Sequence, residues 1–201
     1  MSDYEFTKDW FHWAPQVWEQ LIPMLPERNP ETGRGFIEIG SFEGRSAVWI
    51  AENMMQPGDY LTCIDTWQGG EEHTSDDIDG AEALFDHNMK VVQDKFPDLH
   101  ISKVQGSSYY RLAEEIASNG TEDYDFIYID GSHIAKDVLT DACMAWALLK
   151  KGGIMVFDDY MWGNPRDILH RPKPAIDAFI NLFAEEVDVI HLGYQAVVRK
   201  K

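Results

Sequence analysis

Four side chains in this sequence stand where acid–base or metal chemistry can be built. The apolar run Tyr124–Ile129 closes in Asp130-Gly131, His133 follows three residues later, and the run Ile154–Phe157 closes in the pair Asp158-Asp159. Three carboxylates at one point repel one another, and either one of them keeps its proton or a cation sits between them. All-oxygen ligation with room for water favours Mg²⁺, with Mn²⁺ or Ca²⁺ as substitutes. A histidine beside such acids suits a general base, its ordinary pKa being about 6.5. The base is the preferred role, and the alternatives are a metal ligand and a group that only holds Asp130. The plainer reading makes Asp158-Asp159 a loop cap. Everything turns on whether the elements bring these ends together.

Strand and helix patterns alternate from Gly35 onward. Gly35–Gly40 is a short apolar strand, 46–54 has helical spacing, and Pro57-Gly58 punctuates before a second strand at Tyr60–Ile64. Phe85, Met89, Val92 and Phe96 recur on one helix face. A third strand is expected at 99–105, a helix at 108–118, and the fourth strand at Tyr124–Ile129. The helix from Ala135 to Leu149 is expected to close with Lys150-Lys151 at its C-terminus and Gly152-Gly153 beyond. The fifth strand is then Ile154–Phe157. A polar and aromatic loop (160–173), a helix from Pro174 to Phe183 and strands near 187–192 and 195–199 complete the chain. Five strand–helix units predict a parallel sheet with helices on both faces, and the last two strands read as a hairpin. The fold class is α/β: a doubly wound, mostly parallel seven-stranded sheet with a C-terminal antiparallel hairpin. Ligands of such sheets bind beyond the carboxyl ends of the strands.

Those ends carry Glu38, Gly40 and Ser41, then Asp65, then Gly106, Ser107 and Ser108, then Asp130 and Asp158-Asp159. The first turn, Glu38-Ile-Gly40-Ser-Phe-Glu-Gly44-Arg-Ser46, is neither G-x-G-x-x-G nor a P-loop, so it is not built to cradle phosphates. It suits close backbone approach to a nucleoside, with Asp65 accepting from ribose hydroxyls. Taken singly, Gly40 and Gly44 are ordinary turn glycines and Asp65 a cap.

In order and spacing, this turn, Asp65, Gly-Ser-Ser, Tyr-Ile-Asp-Gly-Ser-His and Gly-Gly-Ile-Met-Val-Phe-Asp-Asp resemble class I S-adenosylmethionine-dependent methyltransferases. The nearest branch is the metal-dependent catechol and macrocin O-methyltransferases, and the resemblance covers roughly residues 34–160. It implies a Rossmann-like fold in which the fourth and fifth strands are neighbours, so that Asp130, Asp158 and Asp159 converge on a metal. It implies that Glu38, Gly40, Ser41 and Gly44 line the methionine and ribose part of S-adenosylmethionine, and that Ser46 binds its carboxylate. Asp65 then takes the ribose and Ser107 and Ser108 the adenine edge, while Asp130 also meets the cofactor. Trp67 is either an adenine-stacking ring or a plain core tryptophan. Where catechol-type enzymes carry a lysine after the fourth strand, this chain has His133. The implied activity is divalent-metal-assisted O-methylation of a small sugar, phenol or diol. The alternatives are an NAD-dependent oxidoreductase and a non-catalytic cofactor-binding module.

Composition sets the remaining bounds. With 17 Lys and Arg against 35 Asp and Glu, the 201-residue chain carries a formal charge of −18 and no basic patch, which argues against nucleic-acid and membrane partners. The N-terminus lacks a signal-peptide pattern and no run is long enough to span a bilayer, so a cytoplasmic protein is expected. Cys63 and Cys143 read as buried thiols. One domain over 1–201 is expected, with an aromatic-rich helical segment (1–30) before a Rossmann-like core (31–201). Trp10, Phe11, Trp13 and Trp18 in that segment suit a lid, a homodimer contact or plain core. Tyr160, Trp162, Arg166 and Arg171 lie within reach of the acids, and the acidic run 71–79 reads as a solvated flap.

Overall fold

The run Gly35–Ile39 (β1) is buried along its whole length, as a central strand covered on both faces must be. Tyr60–Asp65 (β2) and Tyr124–Ile129 (β4) flank it in parallel, His100–Gln105 (β3) lies outside β2, and Leu149–Phe157 (β5) lies beyond β4. Val187–Leu192 (β6) and Ala196–Lys200 (β7) add the antiparallel pair, with β7 beside β5. The sheet order is β3-β2-β1-β4-β5-β7-β6, the doubly wound sheet expected from the strand–helix alternation. The computed structural model describes residues 3–70 and 73–201, apart from the side chains of Asp77 and Asn119. Glu71 and Glu72 of the acidic run therefore lie outside the described residues; the short helix Ser75–Ile78 (α3) falls within that run.

Side-chain alternation along the strands divides the core into two layers. Ile37, Ile39, Ile127 and Met155 face Ser108–Asn119 (α5), Ala135–Leu148 (α6) and Lys173–Leu182 (α7), through Leu112, Val138, Trp146 and Phe179. Phe36, Phe126, Tyr128 and Val156 face Ala14–Leu21 (α1), Arg45–Asn53 (α2) and Ala81–Lys95 (α4), through Trp18, Leu21, Ile50 and Phe85. Trp18 is fully buried, with its ring edge-on to Tyr128 at 4.7 Å and to Phe126 at 5.2 Å. Before α1 the chain runs as a strap. Asn88 of α4 exchanges two hydrogen bonds with the Glu5 backbone, Glu43 accepts from the Thr7 amide at 2.7 Å, and Arg45 donates to the Lys8 carbonyl.

Two local expectations are corrected. Lys150-Lys151 and Gly152-Gly153 do not finish α6: the helix ends at Leu148 and the strand starts at Leu149. Leu149 is fully buried and pairs with Tyr124, and Lys150 reaches the buried Asp125 at 2.9 Å, so packing and an ion pair override the helix-end pattern. The register slips past this point, with Gly152 at φ 78°. Cys63 is buried, but Cys143 is exposed, on the face of α6 turned away from Val138, Ala142 and Ala145.

The chain runs outward from β1 to β3 and then returns to β4, so the strand order reverses between β1 and β4 and opens a crevice there. Gly40 makes the closest approach in that crevice. Its φ is 86°, and a Cβ on it would lie 2.0 Å from the Asp130 carbonyl oxygen. Gly40→Ala is therefore expected to cost about 2–3 kcal/mol, from left-handed backbone strain plus displacement of the β4 end. Urea denaturation checks this, and an unchanged midpoint would contradict it.

Candidate active site

A cavity of about 990 Å³ opens at the carboxyl ends of the strands, at the upper end of the range of small-ligand sites. Ile129 and Phe157 are paired across β4 and β5, so the residues that follow them emerge side by side. The two strand ends are tied by the Asp158 amide donating to the Ile129 carbonyl at 2.9 Å. Asp159 has φ 56°, a left-handed turn unusual for a residue with a side chain. Strain of this kind persists where the surroundings hold it, and here it swings Asp159 toward the cavity. His133 Nε2 meets Asp159 Oδ2 at 2.6 Å, and its ring lies 4.2 Å from that of Trp162. Asp130, His133 and Asp159 each present one ligand atom, all within 4.8 Å of one another.

Asp158 stands behind this group. Its Oδ1 accepts from the Asp159 amide at 2.7 Å, and its Oδ2 accepts from Tyr128 Oη and from Gln195 Nε2 at 3.3 Å. Gln195 is itself held by the Trp18 indole N–H at 2.8 Å. Tyr128 Oη also lies 2.9 Å from Asp130 Oδ2, although it has one proton to share between two carboxylates. Tyr194 Oη donates to Asp159 Oδ1 at 2.9 Å. Burial, then the Asp158 and Asp159 charges, push the Asp130 carboxyl well above its usual range. Burial and Asp159 push Asp158 up to about 6.

The expected nucleoside residues fall into two sets. Gly40, Asp65, Trp67, Ser107, Ser108 and Asp130 line the cavity, whereas Glu38, Ser41, Gly44 and Ser46 lie behind its wall. Glu38 is fully buried facing Ser41 and Ser46, and burial raises it to about 7 against the pull of those hydroxyls. Gly44 caps α2 in the left-handed region, with Phe85 against it. Asp65 Oδ2 accepts from the Ser41 and Phe42 amides at 2.8 Å each and Oδ1 from the Trp67 amide at 2.7 Å, so it pins the first turn while still facing the cavity. The Trp67 ring packs on Phe85 at 4.9 Å with Lys103 over it at 4.7 Å, and its N–H donates to the Phe42 carbonyl. From the 160–173 loop Trp162 reaches the cavity; Arg166 and Arg171 do not line it, and Tyr160 turns inward to Asp177.

Several residues of the site were not legible as such. Tyr128 reads as a strand-core aromatic and Tyr194 as a hairpin residue. Asp141 hides in the helical stretch DACMAW, where a charge on the same face as Val138, Ala142 and Ala145 was the available signal. The strap adds Trp10 and Trp13, whose rings pair with Phe42 at 5.0 Å and Tyr194 at 5.1 Å.

Glu38, Asp158 and Asp141, the last raised to about 7 by burial, hold their protons more tightly in the folded chain than in the unfolded one. The folded state thus binds more protons between about pH 4 and 7, and stability is lost as the pH rises through that window. Denaturation midpoints measured in chelator are expected to fall from acid to neutral pH, with a shallower fall in Glu38→Gln. A fall equally steep in that variant would contradict the assignment.

Comparison with known proteins places the fold. Residues 37–160 match the family described as "Methyltransferase domain". A protein of Acanthamoeba polyphaga mimivirus described as uncharacterized is 31% identical over 134 residues, which are 62% of this chain, and the chain spans about half (51%) of that relative's length. Among solved structures, the O-methyltransferase TomG of Streptomyces achromogenes, crystallised with SAM, superposes with a TM-score of 0.63 at 16% identity, over 94% of this chain and 80% of that one. The methyltransferase MycE of the mycinamycin biosynthetic pathway, in complex with Mg, SAH and mycinamycin VI, gives 0.60 at 16% identity, over 98% of this chain and 50% of its own. Among the described residues no helix is long and apolar enough to cross a membrane. With the family matched over more than half of its length and the sheet order of the class I fold, the chain belongs to the methyltransferase-domain family.

Proposed function

We propose that this protein transfers the methyl group of S-adenosylmethionine to a hydroxyl oxygen of a small molecule, with a divalent cation at the ends of β4 and β5. The observation that carries this reading is the convergence of Asp130, His133 and Asp159 within 4.8 Å, inside the switch-point cavity of a methyltransferase-family fold. The donor set fits a hard cation: carboxylates from two strands, a third behind them, and too few protons to neutralise them. A bound cation supplies positive charge that lowers the pKa of an acceptor hydroxyl, and S-adenosylmethionine supplies an electrophilic sulfonium methyl.

The chain's own residues do the rest. Asp65 and the turn it pins hold the nucleoside, with Gly40 letting the backbone come close. Asp130 and Asp159 hold the cation, and Asp158, gripped by Tyr128 and Gln195, keeps the β5 end in place behind them. His133, steered by Asp159, accepts the hydroxyl proton as the oxygen–carbon bond forms and the carbon–sulfur bond breaks, leaving S-adenosylhomocysteine. Trp10, Trp13, Phe42 and Trp162 wall the acceptor side with rings and exclude water. Six aspartates and, among the described residues, no Lys or Arg line the cavity, which favours a neutral or cationic acceptor over a phosphorylated or carboxylated one.

Labelled methyl transfer from S-adenosylmethionine to a panel of catechols and neutral glycosides, with Mg²⁺ or with chelator, tests the reading. Turnover is expected with Mg²⁺ and not with chelator. His133→Ala and Asp159→Asn are expected to lower it about a hundredfold or more, while S-adenosylhomocysteine affinity stays within a few fold. Full turnover in chelator would contradict the metal role, and full turnover in both variants would contradict the residue roles.

A further inference from the structure

Asp141 is a buried acid that the methyl-transfer reading leaves unused. It projects from α6, is 2% exposed, and lines the cavity, yet its Oδ1 accepts no hydrogen bond. The side chain sits between two strand-end turns: Ser108, the first residue of α5, engages it, and its Oδ2 lies 3.9 Å from where a Cβ on Gly131 would stand. The charge that acts on it is Asp137, one turn earlier in α6, rather than the cluster at the ends of β4 and β5. A desolvated carboxylate oxygen with no donor is costly, by about 1–3 kcal/mol or more. Asp141 lines the cavity, and a ligand donor that reached this oxygen would recoup that cost.

The position identifies the donor. Gly106, Ser107 and Ser108 follow β3 on the same side of the cavity as Asp65, which puts Asp141 at the base end of a nucleoside whose ribose lies on Asp65. None of these three residues has an acidic or amide side chain, and the Ser108 hydroxyl acts on the Asp141 carboxyl, pulling it down against its burial. An exocyclic amine offers two N–H donors and no acceptor, so it complements a bare carboxylate oxygen, whereas a carbonyl there repels it. We infer that Asp141, supported by Ser108, accepts a hydrogen bond from the adenine amino group of the methyl donor and so sets its selectivity for adenine. The inference rests on the S-adenosylmethionine reading. Burial raises Asp141 to about 7, and a hydrogen bond donated by the amine favours its carboxylate form.

Calorimetric titration of the full chain with S-adenosylhomocysteine and with its 6-oxo analogue, S-inosylhomocysteine, tests the assignment without needing the acceptor. The wild type is expected to prefer the adenine compound by about tenfold or more. That ratio is expected to fall close to one in Asp141→Ala. In the near-isosteric Asp141→Asn, whose amide can rotate to donate to the 6-oxo group, it is expected to fall too, which keeps the test valid if the alanine variant does not fold. A ratio unchanged in whichever variants fold overturns the role of Asp141, because a merely structural residue would weaken both ligands alike. Equal binding of both compounds to the wild type also overturns it. Failure of the wild type to bind either compound overturns the inference together with the donor reading, a result distinct from the other two.

Discussion

A shortage of protons governs the end of β4 and β5. Asp130, Asp158 and Asp159 are carried there by strands in fixed register, and the hydroxyl wedged among them, Tyr128 Oη, has one proton for two carboxylates. The backbone cannot let the acids separate, because the Asp130 amide is bonded to β1 at 2.8 Å and the Asp158 amide to β4 at 2.9 Å. The repulsion must therefore be met by holding extra protons, as the raised Asp130 and Asp158 carboxyls do, or by a cation. A site with these two solutions is poised to exchange protons for a divalent ion, and that exchange is what a metal-assisted deprotonation of an acceptor requires.

The rest of the molecule can be understood as support for that point. Reversal of strand order between β1 and β4 opens the crevice, and Gly40 lets the two strand ends touch across it. From the opposite layer, Trp18 holds Gln195 and Gln195 holds Asp158, so the buried face of α1 is linked by hydrogen bonds to the acidic cluster. The strap before α1, fastened at Asn88, Glu43 and Arg45, brings two tryptophans to the cavity that the sheet alone does not supply. Positioning of the acids and enclosure of the cavity thus come from different parts of the chain.

The strands were legible because their apolar runs end abruptly in glycine or acid, and the acids at 65, 130, 158 and 159 were legible for the same reason. What periodicity could not supply was competition between local pattern and tertiary packing. Lys150-Lys151 has the charge of a helix end, yet Leu149 is worth more to the core as a strand residue, and Lys150 pairs with Asp125. Asp158 and Asp159 are adjacent letters with different surroundings, because a left-handed turn between strand and loop separates a carboxylate bound to Tyr128 and Gln195 from one facing His133. Gln195 and Tyr194 carry no motif, and Tyr128 opens the Tyr-Ile-Asp-Gly-Ser-His stretch with nothing that marks its hydroxyl for the acids; the importance of all three comes from what the fold sets beside them. Asp141 showed only as a charge on an apolar helix face, and its meaning depends on the cavity that opens in front of it.

The most direct measurement of the central claim is a calorimetric titration of Mg²⁺ into the protein near neutral pH, repeated in two buffers of different ionisation heat so that exchanged protons are counted. If the carboxylates at the ends of β4 and β5 form a cation site, Mg²⁺ binds at one site per chain and protons are released, and both signals disappear in Asp130→Asn. Absence of binding, or binding that releases no protons and survives that substitution, would contradict the account.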